Sequence, residues 1–392
     1  MGKRFRIFTF LVCFGSVLNA QIPNMNSSDR LDIATWNLEW FGSASNGPTD
    51  NERQLQYATD LINTLNLDII ALQEVSDVAY WNRLLFNCPN YTGVLSTWSQ
   101  TQKTAVLFKK TEFEFLYQKH ILANFDYDFG SGRLPLEVGL IPKNAKWAAD
   151  DTLRIWVLHM KANTGSSSQK VLAYNRRYNA GVGLKMYIDQ LGGTNKGLVM
   201  GDWNDDFDQS ILSGYATPYQ NWMKDTQYAV TSYPLSVAKE RSTVGYSDMI
   251  DHIACTPGMK SHWIRDSSSV LYADKWISNY GNVVSDHFPV FSRFSWHVEN
   301  LNVDFEPTKP VEFKITRNAG CVGFYLSKEE NNHLSSLKIY DLSGRLLYHL
   351  DNNVFCSGSI NQWYYYEFRD ANKATVYSGI FQLMPDGTVA YR

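Results

Sequence analysis

Apolar segments that stop at a polar side chain recur along this chain, and they constrain its fold more than any other feature. The clearest is "GLVMGDWN" (197–204), in which a continuous apolar run ends at Asp202 and Asn204. Such runs are typical of buried strands. In open α/β sheets, ligands bind outside the carboxyl ends of the strands. We therefore expect these polar residues to lie together along one edge of the sheet. The other segments are 31–42, 67–75, 152–163, 247–256 and 283–294.

Two stretches between these strands carry the spacing of helices. In the first, apolar residues from Leu55 to Leu65 form one stripe, and Thr49 with Glu52 three residues later predicts a capping box at the start. The second helix is expected over 169–190. The alternation of strands and helices predicts an α/β or α+β domain.

The first twenty residues have the composition of a secretory signal. Three basic residues precede the apolar stretch 7–18, and we expect cleavage after Ala20. That stretch is too short to span a bilayer, and we expect no integral membrane segment elsewhere. Cleavage would remove three positive charges, which takes the formal charge from −3 to −6. Any nucleic-acid contact must therefore come from a local basic patch.

The composition changes after the last apolar strand and indicates a second domain. We predict a catalytic domain over 21–298, a linker over 299–309 and a small β-sandwich over 310–392, where short alternating strands are separated by turn residues. Four cysteines follow the signal, and we expect Cys321 and Cys356 to form a disulfide in an exported chain. The sequence has no Cys-x-x-Cys motif or Cys/His cluster, so we expect no zinc site.

The polar residues at the strand ends are mostly oxygen donors. Carboxylates and amides without a thiol favour a hard cation such as Mg²⁺, with Mn²⁺ or Ca²⁺ as substitutes. Histidines beside such a cation indicate phosphoryl chemistry, which needs charge neutralisation, a positioned water and a group that stabilises developing charge. The set comprises Asn37, Glu74, His159, Asp202, Asn204, Asp251, Asp286 and His287.

Six short motifs resemble those of the endonuclease/exonuclease/phosphatase superfamily, and they occur in the order found there. They are "TWNLEWF", "LQEV", "VLHMKA", "GDWND", "MIDHI" and "SDHFPV", within residues 30–296. Each motif alone is a weak signal, but six in order are a strong one. The resemblance implies a DNase I-like four-layer sandwich of two mixed β-sheets flanked by helices, and a metal-dependent phosphodiester hydrolase.

The resemblance also implies roles for the metal ligands and the water. Glu74 would be the principal metal ligand, with Asn37 beside it and Asp286 completing the shell. Asp202 would orient or deprotonate the attacking water, and Asn204 would hold a phosphate oxygen.

By the same resemblance, two histidines would act at the phosphate. His287 would stabilise charge on the scissile phosphate, with Asp251 orienting its imidazole, and His159 would be a second imidazole that assists the leaving group. DNase-type members carry an acidic residue in an Arg-acid-Pro stretch that pairs with this second histidine. Leu134 occupies that place here, which puts the role of His159 in doubt. The "HMKA" stretch is more similar to secreted bacterial members of the superfamily.

The residues after the apolar run 197–202 divide into two groups. Asp202 and Asn204 are two positions apart, so on an extended segment they should face the same way, with Trp203 packed on the other side. The acids that follow, Asp205, Asp206 and Asp208, are expected to be solvated loop residues.

Other polar residues near the motifs have structural interpretations. We interpret Glu39 as structural and His252 as a packed core histidine. The basic run Lys161, Lys170, Arg176, Arg177 and Lys185 could contact a phosphate backbone, but the solvated face of a helix is slightly favoured.

Three basic residues are candidate contacts to substrate phosphate. They are Arg133, Lys161 and Arg176, although a structural ion pair accounts equally well for Arg133.

The C-terminal segment resembles the sorting domains of proteins exported by type IX secretion. Its "IYDLSGR" (339–345) and "SGIF" (378–381) stretches and its basic end at Arg392 carry the likeness, with Phe381 where tyrosine is usual. The resemblance implies export machinery as a partner and an extracellular or cell-surface location. A carbohydrate- or protein-binding β-domain is the alternative. We expect the chain to be a monomer.

Three functions remain open from the sequence. The favoured one is a secreted Mg²⁺-dependent phosphodiesterase, a nuclease that hydrolyses DNA or RNA by direct attack of water. The second applies the same chemistry to a phospholipid or inositol phosphate. The third is a non-catalytic surface binding protein, which the nearly intact residue set disfavours.

Overall fold

The computed structural model describes residues 21–143 and 151–296, together with seven strands beyond residue 320. The predicted signal segment and linker lie outside the described residues. The chain divides into two compact units, 1–301 and 302–392. Among the described residues, no helix has both the length and the apolar character needed to cross a bilayer.

The described part of the first unit alternates strands and helices, as the sequence predicts. The strands are β1 Arg30–Phe41, β2 Ile69–Val75, β3 Tyr91–Leu95, β4 Lys103–Lys109, β5 Phe113–His120, β6 Leu136–Pro142, β7 Leu153–His159, β8 Gly197–Asp202, β9 Ala229–Val230, β10 Asp251–Cys255, β11 Ser269–Val270 and β12 Val290–Ser295. The α-helices are α1 Asn51–Leu65, α2 Val78–Asn87, α3 Ser167–Asp189, α4 Gln220–Lys224, α5 Tyr233–Val237, α6 Pro257–Lys260 and α7 Tyr280–Val283.

Two six-stranded mixed sheets form the core of this unit. The first has the order β11-β12-β1-β2-β4-β3, and the second has the order β5-β6-β7-β8-β10-β9. β1 and β2 are parallel, as are β7 and β8, and the other described pairs in these sheets are antiparallel. The predicted sandwich of two mixed sheets is confirmed.

The two sheets pack against each other through an apolar layer. Ile33 of β1, Val157 of β7 and Met200 of β8 belong to this layer and are fully buried. Helices α1 and α2 pack on the outer face of the first sheet, and α3 and α4 pack on the outer face of the second. The architecture therefore has four layers, with the helices outside.

Helix α1 corrects one prediction. Its N-cap is Asp50, whose carboxylate accepts a hydrogen bond from the Arg53 amide at 3.0 Å, so the capping box proposed for Thr49 and Glu52 is wrong. Asp at the N-cap satisfies a free amide of the first turn as well as Thr does, and Asp50 stands one residue closer to the helix.

Helix α3 matches its prediction closely. It begins at Ser167 rather than 169, and it has a complete capping box between Ser166 and Gln169. The prediction for His252 is also confirmed, because its imidazole is fully buried and bonded to Ser232 Oγ and the Met249 carbonyl.

A buried ion pair overturns the solvated interpretation of the acids that follow Asp202. Asp205 and Arg177 are both fully buried, and their carboxylate and guanidinium lie 2.7 Å apart. Asp206 is also buried and accepts a bond from the Met249 amide. Asp208 comes closest to the prediction, because it pairs with the exposed ammonium of Lys239.

The basic run on α3 is correspondingly not a solvated helix face. The buried Arg176 donates to the Tyr127 carbonyl and stacks over the Tyr127 ring, 4.2 Å from its centroid. The buried Lys185 pairs with Asp225 at 2.7 Å. Arg176, Arg177 and Lys185 therefore fasten α3 to neighbouring segments, as expected of buried cations, which need partners. Lys161 and Lys170 are only half-buried.

The described strands of the second unit form two antiparallel sheets. They are β13 Cys321–Gly323, β14 Leu334–Asp341, β15 Leu346–Leu350, β16 Val354–Cys356, β17 Trp363–Asp370, β18 Thr375–Leu383 and β19 Val389–Tyr391. β13 pairs with β16, and the others follow the order β15-β14-β17-β18-β19. The backbone register places Cys321 directly opposite Cys356. The disulfide and the β-sandwich remain predictions.

The buried ion pair yields the first test. Arg177→Ala should lower the free energy of unfolding of the full chain by about 3–5 kcal/mol, because it leaves the Asp205 carboxylate buried without its cation. Urea titration followed by circular dichroism measures this. The control is Arg83→Ala, which breaks an exposed pair with Glu52 and should lower the free energy of unfolding far less, because solvent screens that pair. Equal losses in the two variants would refute the structural role of Arg177.

Candidate active site

The hydrogen-bond register of the second sheet places three predicted site residues side by side. His159 is paired with Asp202 across β7 and β8, and Asp202 is paired with Asp251 across β8 and β10. Paired residues on neighbouring strands point to the same face of a sheet. Val157 and Met200 lie in the layer between the sheets, and His159 and Asp202 follow them by two positions. The row therefore faces the first sheet.

The first sheet contributes Asn37 to the same space. Asn37 lies four positions after Ile33, on the inner face of β1, and is fully buried. Its Nδ2 donates to Glu74 Oε1 at 3.1 Å and to Asp202 Oδ2 at 3.3 Å. One amide thus links carboxylates from both sheets. Its Oδ1 accepts from the Glu39 amide at 3.0 Å.

Irregular backbone at the ends of β1 and β2 directs Glu74 into this space. Glu39, Trp40 and Glu74 have φ angles of 46°, 51° and 60°, and the β1–β2 register shifts between Asn37 and Phe41. The Trp40 amide donates to Glu74 Oε2 at 3.1 Å. Left-handed backbone at residues other than glycine is uncommon and concentrates at functional sites.

The carboxylate of Asp202 is held by its near neighbour Asn204. It accepts bonds from the Asn204 backbone amide at 2.8 Å and from Asn204 Nδ2 at 2.9 Å. The predicted proximity is confirmed, and Trp203 is buried as expected. The extended segment is wrong, because Asn204 has a φ of 53° and turns back toward Asp202. Gly201 is required before it, since a Cβ there would lie 2.3 Å from the Leu158 carbonyl oxygen.

His287 lies in the loop before β12, not on a strand as the sequence suggested. Its Nδ1 lies 2.7 Å from Asp251 Oδ2. Its backbone is fixed by Ser285, whose Oγ accepts from the His287 amide and donates to the Asn37 carbonyl. Burial disfavours the imidazolium, but the carboxylates of Asp251 and Asp202 outweigh it and raise the pKa of His287 well above its ordinary value. The contacts of this histidine therefore favour its imidazolium form.

The surroundings of His159 favour its neutral imidazole form, in contrast to those of His287. Its Nε2 lies 2.5 Å from Arg133 Nη1, so the imidazole accepts from the guanidinium. Burial, followed by the charge of Arg133, lowers the pKa of His159 well below its ordinary value. Its Nδ1 is buried and has no hydrogen-bond partner among the described residues. Leu134, which follows Arg133, is fully buried.

The donor set fits a divalent cation. Carboxylate oxygens of Asp202 and Asp251 lie within 4.8 Å of each other, and Glu74 reaches the same space through Asn37. The His287 ring is equally close, but its Nδ1 is bonded to Asp251, so the carboxylates are the candidate ligands. Asp251 Oδ1 is buried and has no hydrogen-bond partner among the described residues. Burial and the Asp251 charge raise the pKa of Asp202 to about 7. Several buried carboxylates with one orphaned oxygen are what a bound cation would stabilise.

Two predicted residues lie at the edge of this cluster. The Asp286 side chain is half exposed, and its Oδ1 is 3.7 Å from His287 Nε2, so it is not among the buried carboxylates. The backbone amide of Asp286 donates to Glu39 Oε2 at 2.9 Å, which agrees with a structural Glu39. Burial and the Asp286 charge raise the pKa of Glu39 to about 7.

The three candidate contacts to substrate phosphate have different surroundings in the structure. Arg133 lies at the site, close to His159. Lys161 is half-buried, and burial together with the charge of Arg133 lowers its pKa. Arg176 is buried, and its Nη2 donates to the Tyr127 carbonyl and to Ser131 Oγ, so its role at a substrate phosphate stays a prediction.

Sequence reasoning overlooked Ser285, which joins His287 to Asn37. Its position directly before the Asp286-His287 pair was the available signal.

Residues 34–287 match the Endonuclease/Exonuclease/phosphatase family, which covers most of the first unit. The chain belongs to this family. With its oxygen-rich cluster, it is therefore a metal-dependent phosphoesterase. A comparison with curated proteins finds no match.

Solved structures with the same fold include three of known identity. D. rerio TDP2 complexed with a single-strand DNA product has a TM-score of 0.51 at 16% identity, over 68% of this chain and 99% of that one. The human Nocturnin catalytic domain with bound sulfate has 0.51 at 18%, over 68% and 94%. The Bacteroides thetaiotaomicron mannosyl-6-phosphatase has 0.50 at 14%, over 67% and 99%. At these identities the likeness shows the fold.

Proposed function

We propose that this chain is an Mg²⁺-dependent phosphodiesterase that hydrolyses DNA or RNA. The observation that carries the proposal is the arrangement of charge around Asp202. The buried carboxylate of Asp202 lies between the Asp251–His287 pair on one side and the Arg133–His159 pair on the other. A phosphate bound there would have Asp202 beside it as the base for the attacking water. It would also have the positive charge of His287 on one side and that of Arg133 on the other.

A cation bound by Glu74, Asp202 and Asp251 would neutralise the phosphate and polarise its P–O bonds. Asp202 would accept the proton of the attacking water, whose oxygen forms the new bond to phosphorus as the bond to the leaving oxygen breaks. Asn204 and Asn37 hold the Asp202 carboxylate by three hydrogen bonds, which fixes the direction of that proton transfer.

His287 supplies the charge stabilisation in this scheme. Its Nδ1 proton is held by Asp251, so the Nε2–H is free to donate to a phosphate oxygen. His159 is neutral and accepts from Arg133, so we propose that it orients the guanidinium toward the phosphate instead of protonating the leaving group. This replaces the leaving-group role suggested by sequence.

Nucleic acid is the substrate class that the surroundings support best. Lys161 and Lys170 continue the positive charge of Arg133 away from the cluster, as a chain of phosphates requires. The TDP2 complex demonstrates that this fold can hold a single-strand DNA product in another protein. A lipid phosphodiester or a sugar monoester would be the substrate if the same assays favoured them.

The catalytic assignment is tested with two variants. Asp202→Asn and His287→Asn should each lower turnover of single-stranded DNA and RNA by at least about 100-fold, because each removes a general base or a charge stabiliser. EDTA should abolish the wild-type activity, and Mg²⁺ should restore it. Gel assays with parallel lipid and sugar phosphate substrates measure this.

The matched controls lie outside the cluster. Asp208→Asn removes an acid six residues after Asp202 that pairs with Lys239, and His120→Asn removes a histidine bonded to Ser96. Both should keep near-normal turnover. Near-normal turnover by either site variant, or activity that persists in EDTA, would refute the assignment.

We further propose that the chain is exported, with residues 1–20 as a cleaved signal and 310–392 as the segment that the export machinery recognises. The support is the sequence pattern of both ends. Protein recovered from the growth medium should have Gln21 as its first residue by N-terminal sequencing. Retention of the whole protein inside the cell, with Met1 intact, would contradict the proposal.

A further inference from the structure

A cavity of about 250 Å³ opens directly beside the catalytic cluster. Asn204 lines the cavity and also donates to the carboxylate of Asp202. A group bound in the cavity would therefore be adjacent to a phosphate positioned at Asp202. The lining residues that could contact a ligand there include Asn163, Lys170, Ile211, Tyr246, Asp248 and Ile250.

The acids that follow Asp202 fix one wall of this cavity. Asp205 Oδ1 accepts from the backbone amide of Ile211 at 2.8 Å, while its Oδ2 is held by Arg177. Asp206 accepts from the Met249 amide at 3.3 Å, next to Ile250. The wall is thus built by buried ionic and hydrogen-bonded contacts, and the cavity is a formed feature of the fold.

The loop that carries Tyr246 also lines the cavity and is tied to the segment that carries His287. Thr243 forms a β-bridge with His287, and the Val244 amide donates to the Asp286 carbonyl at 2.7 Å. The Tyr246 amide donates to Thr243 Oγ1 at 3.0 Å. Tyr246 is nonetheless 64% exposed, so an aromatic ring stands at the mouth of the cavity on a backbone fixed beside His287.

The polar groups of the cavity suit a ligand with both donors and acceptors. Asn163 Oδ1 is buried and has no hydrogen-bond partner among the described residues. Asp248 is exposed on the loop that carries Tyr246, and Lys170 comes from the first turn of α3. The cavity thus offers an aromatic face, acceptors for N–H or O–H groups, and one cation.

We propose that this cavity binds the nucleoside attached to the scissile phosphate, with its base stacked on Tyr246. The proposal rests on the function proposed above and specifies its substrate. Asn163 and Asp248 accept hydrogen bonds from the base or sugar, and Lys170 pairs with the next phosphate of the strand. Stacking on an exposed aromatic ring is the usual way in which proteins hold an unpaired base, so the substrate is single-stranded at this position.

Binding measurements test the cavity independently of turnover. Calorimetry on the Mg²⁺-loaded full chain should show tighter binding of a nucleoside 5′-monophosphate than of inorganic phosphate. Tyr246→Ala should weaken nucleoside monophosphate binding by about 5- to 150-fold, which corresponds to the loss of one base stack, and should leave inorganic phosphate binding unchanged. Tyr246→Trp should retain nucleotide binding because it keeps an aromatic face.

The experiment includes a control variant and a competing sugar phosphate ligand. Tyr178→Ala removes a tyrosine that is 48% exposed on α3 and does not line the cavity, and it should change neither affinity. Equal affinity of the wild type for nucleotide and phosphate, or an unchanged affinity in Tyr246→Ala, would overturn the proposal. Tighter binding of mannose 6-phosphate than of every nucleotide would overturn it too, by identifying a sugar site.

The outcomes also separate this proposal from the proposed function. Nucleotide binding that depends on Tyr246, without cleavage of any nucleic acid by the wild type, would support the cavity and refute the nuclease. Cleavage of single strands by the wild type, with nucleotide affinity unaffected by Tyr246→Ala, would support the nuclease and refute the cavity.

Discussion

The register of β8 between its two neighbours is the constraint on which the site depends. One strand pairing aligns Asp202 with His159, and the other aligns it with Asp251. A slip of one residue would turn Asp202 toward the outer helices and place Gly201 in the row. The apolar side chains that precede Asp202 in the layer between the sheets prevent that slip, so core packing and site geometry have the same cause.

Side chains of the same type have different roles in the site because their electrostatic surroundings differ. Two histidines lie on either side of Asp202, yet Asp251 raises the pKa of His287, whereas burial and the charge of Arg133 lower the pKa of His159. The buried carboxylates repel one another, and a cation would relieve that repulsion. Acids only a few residues further on have a structural task, because Asp205 neutralises the buried Arg177.

The alternation of strands and helices predicted an α/β or α+β domain, because this pattern is local, and the resemblance of the motifs supplied the two mixed sheets. The meeting of Asp202 with Asn204 was predicted for an extended segment but results from a turn. The sequence did not predict the environment of Asp205 or Arg177. Their burial depends on α3 packing over the loop after β8, and a partner distant in sequence leaves no periodic pattern. The left-handed turn at Asn204 was missed for a related reason, since it is fixed by tertiary hydrogen bonds. Motif order located the histidines, but only the structure distinguishes their charge states.

Diffraction from crystals grown with Mn²⁺ tests the central claim most directly, because the anomalous signal locates the ion without reference to activity. The account predicts a peak in the space bounded by the carboxylates of Glu74, Asp202 and Asp251, next to Asn37, and its loss in Asp202→Asn crystals. A fully occupied ion bound only elsewhere on the chain, with this space containing water alone, would contradict the account.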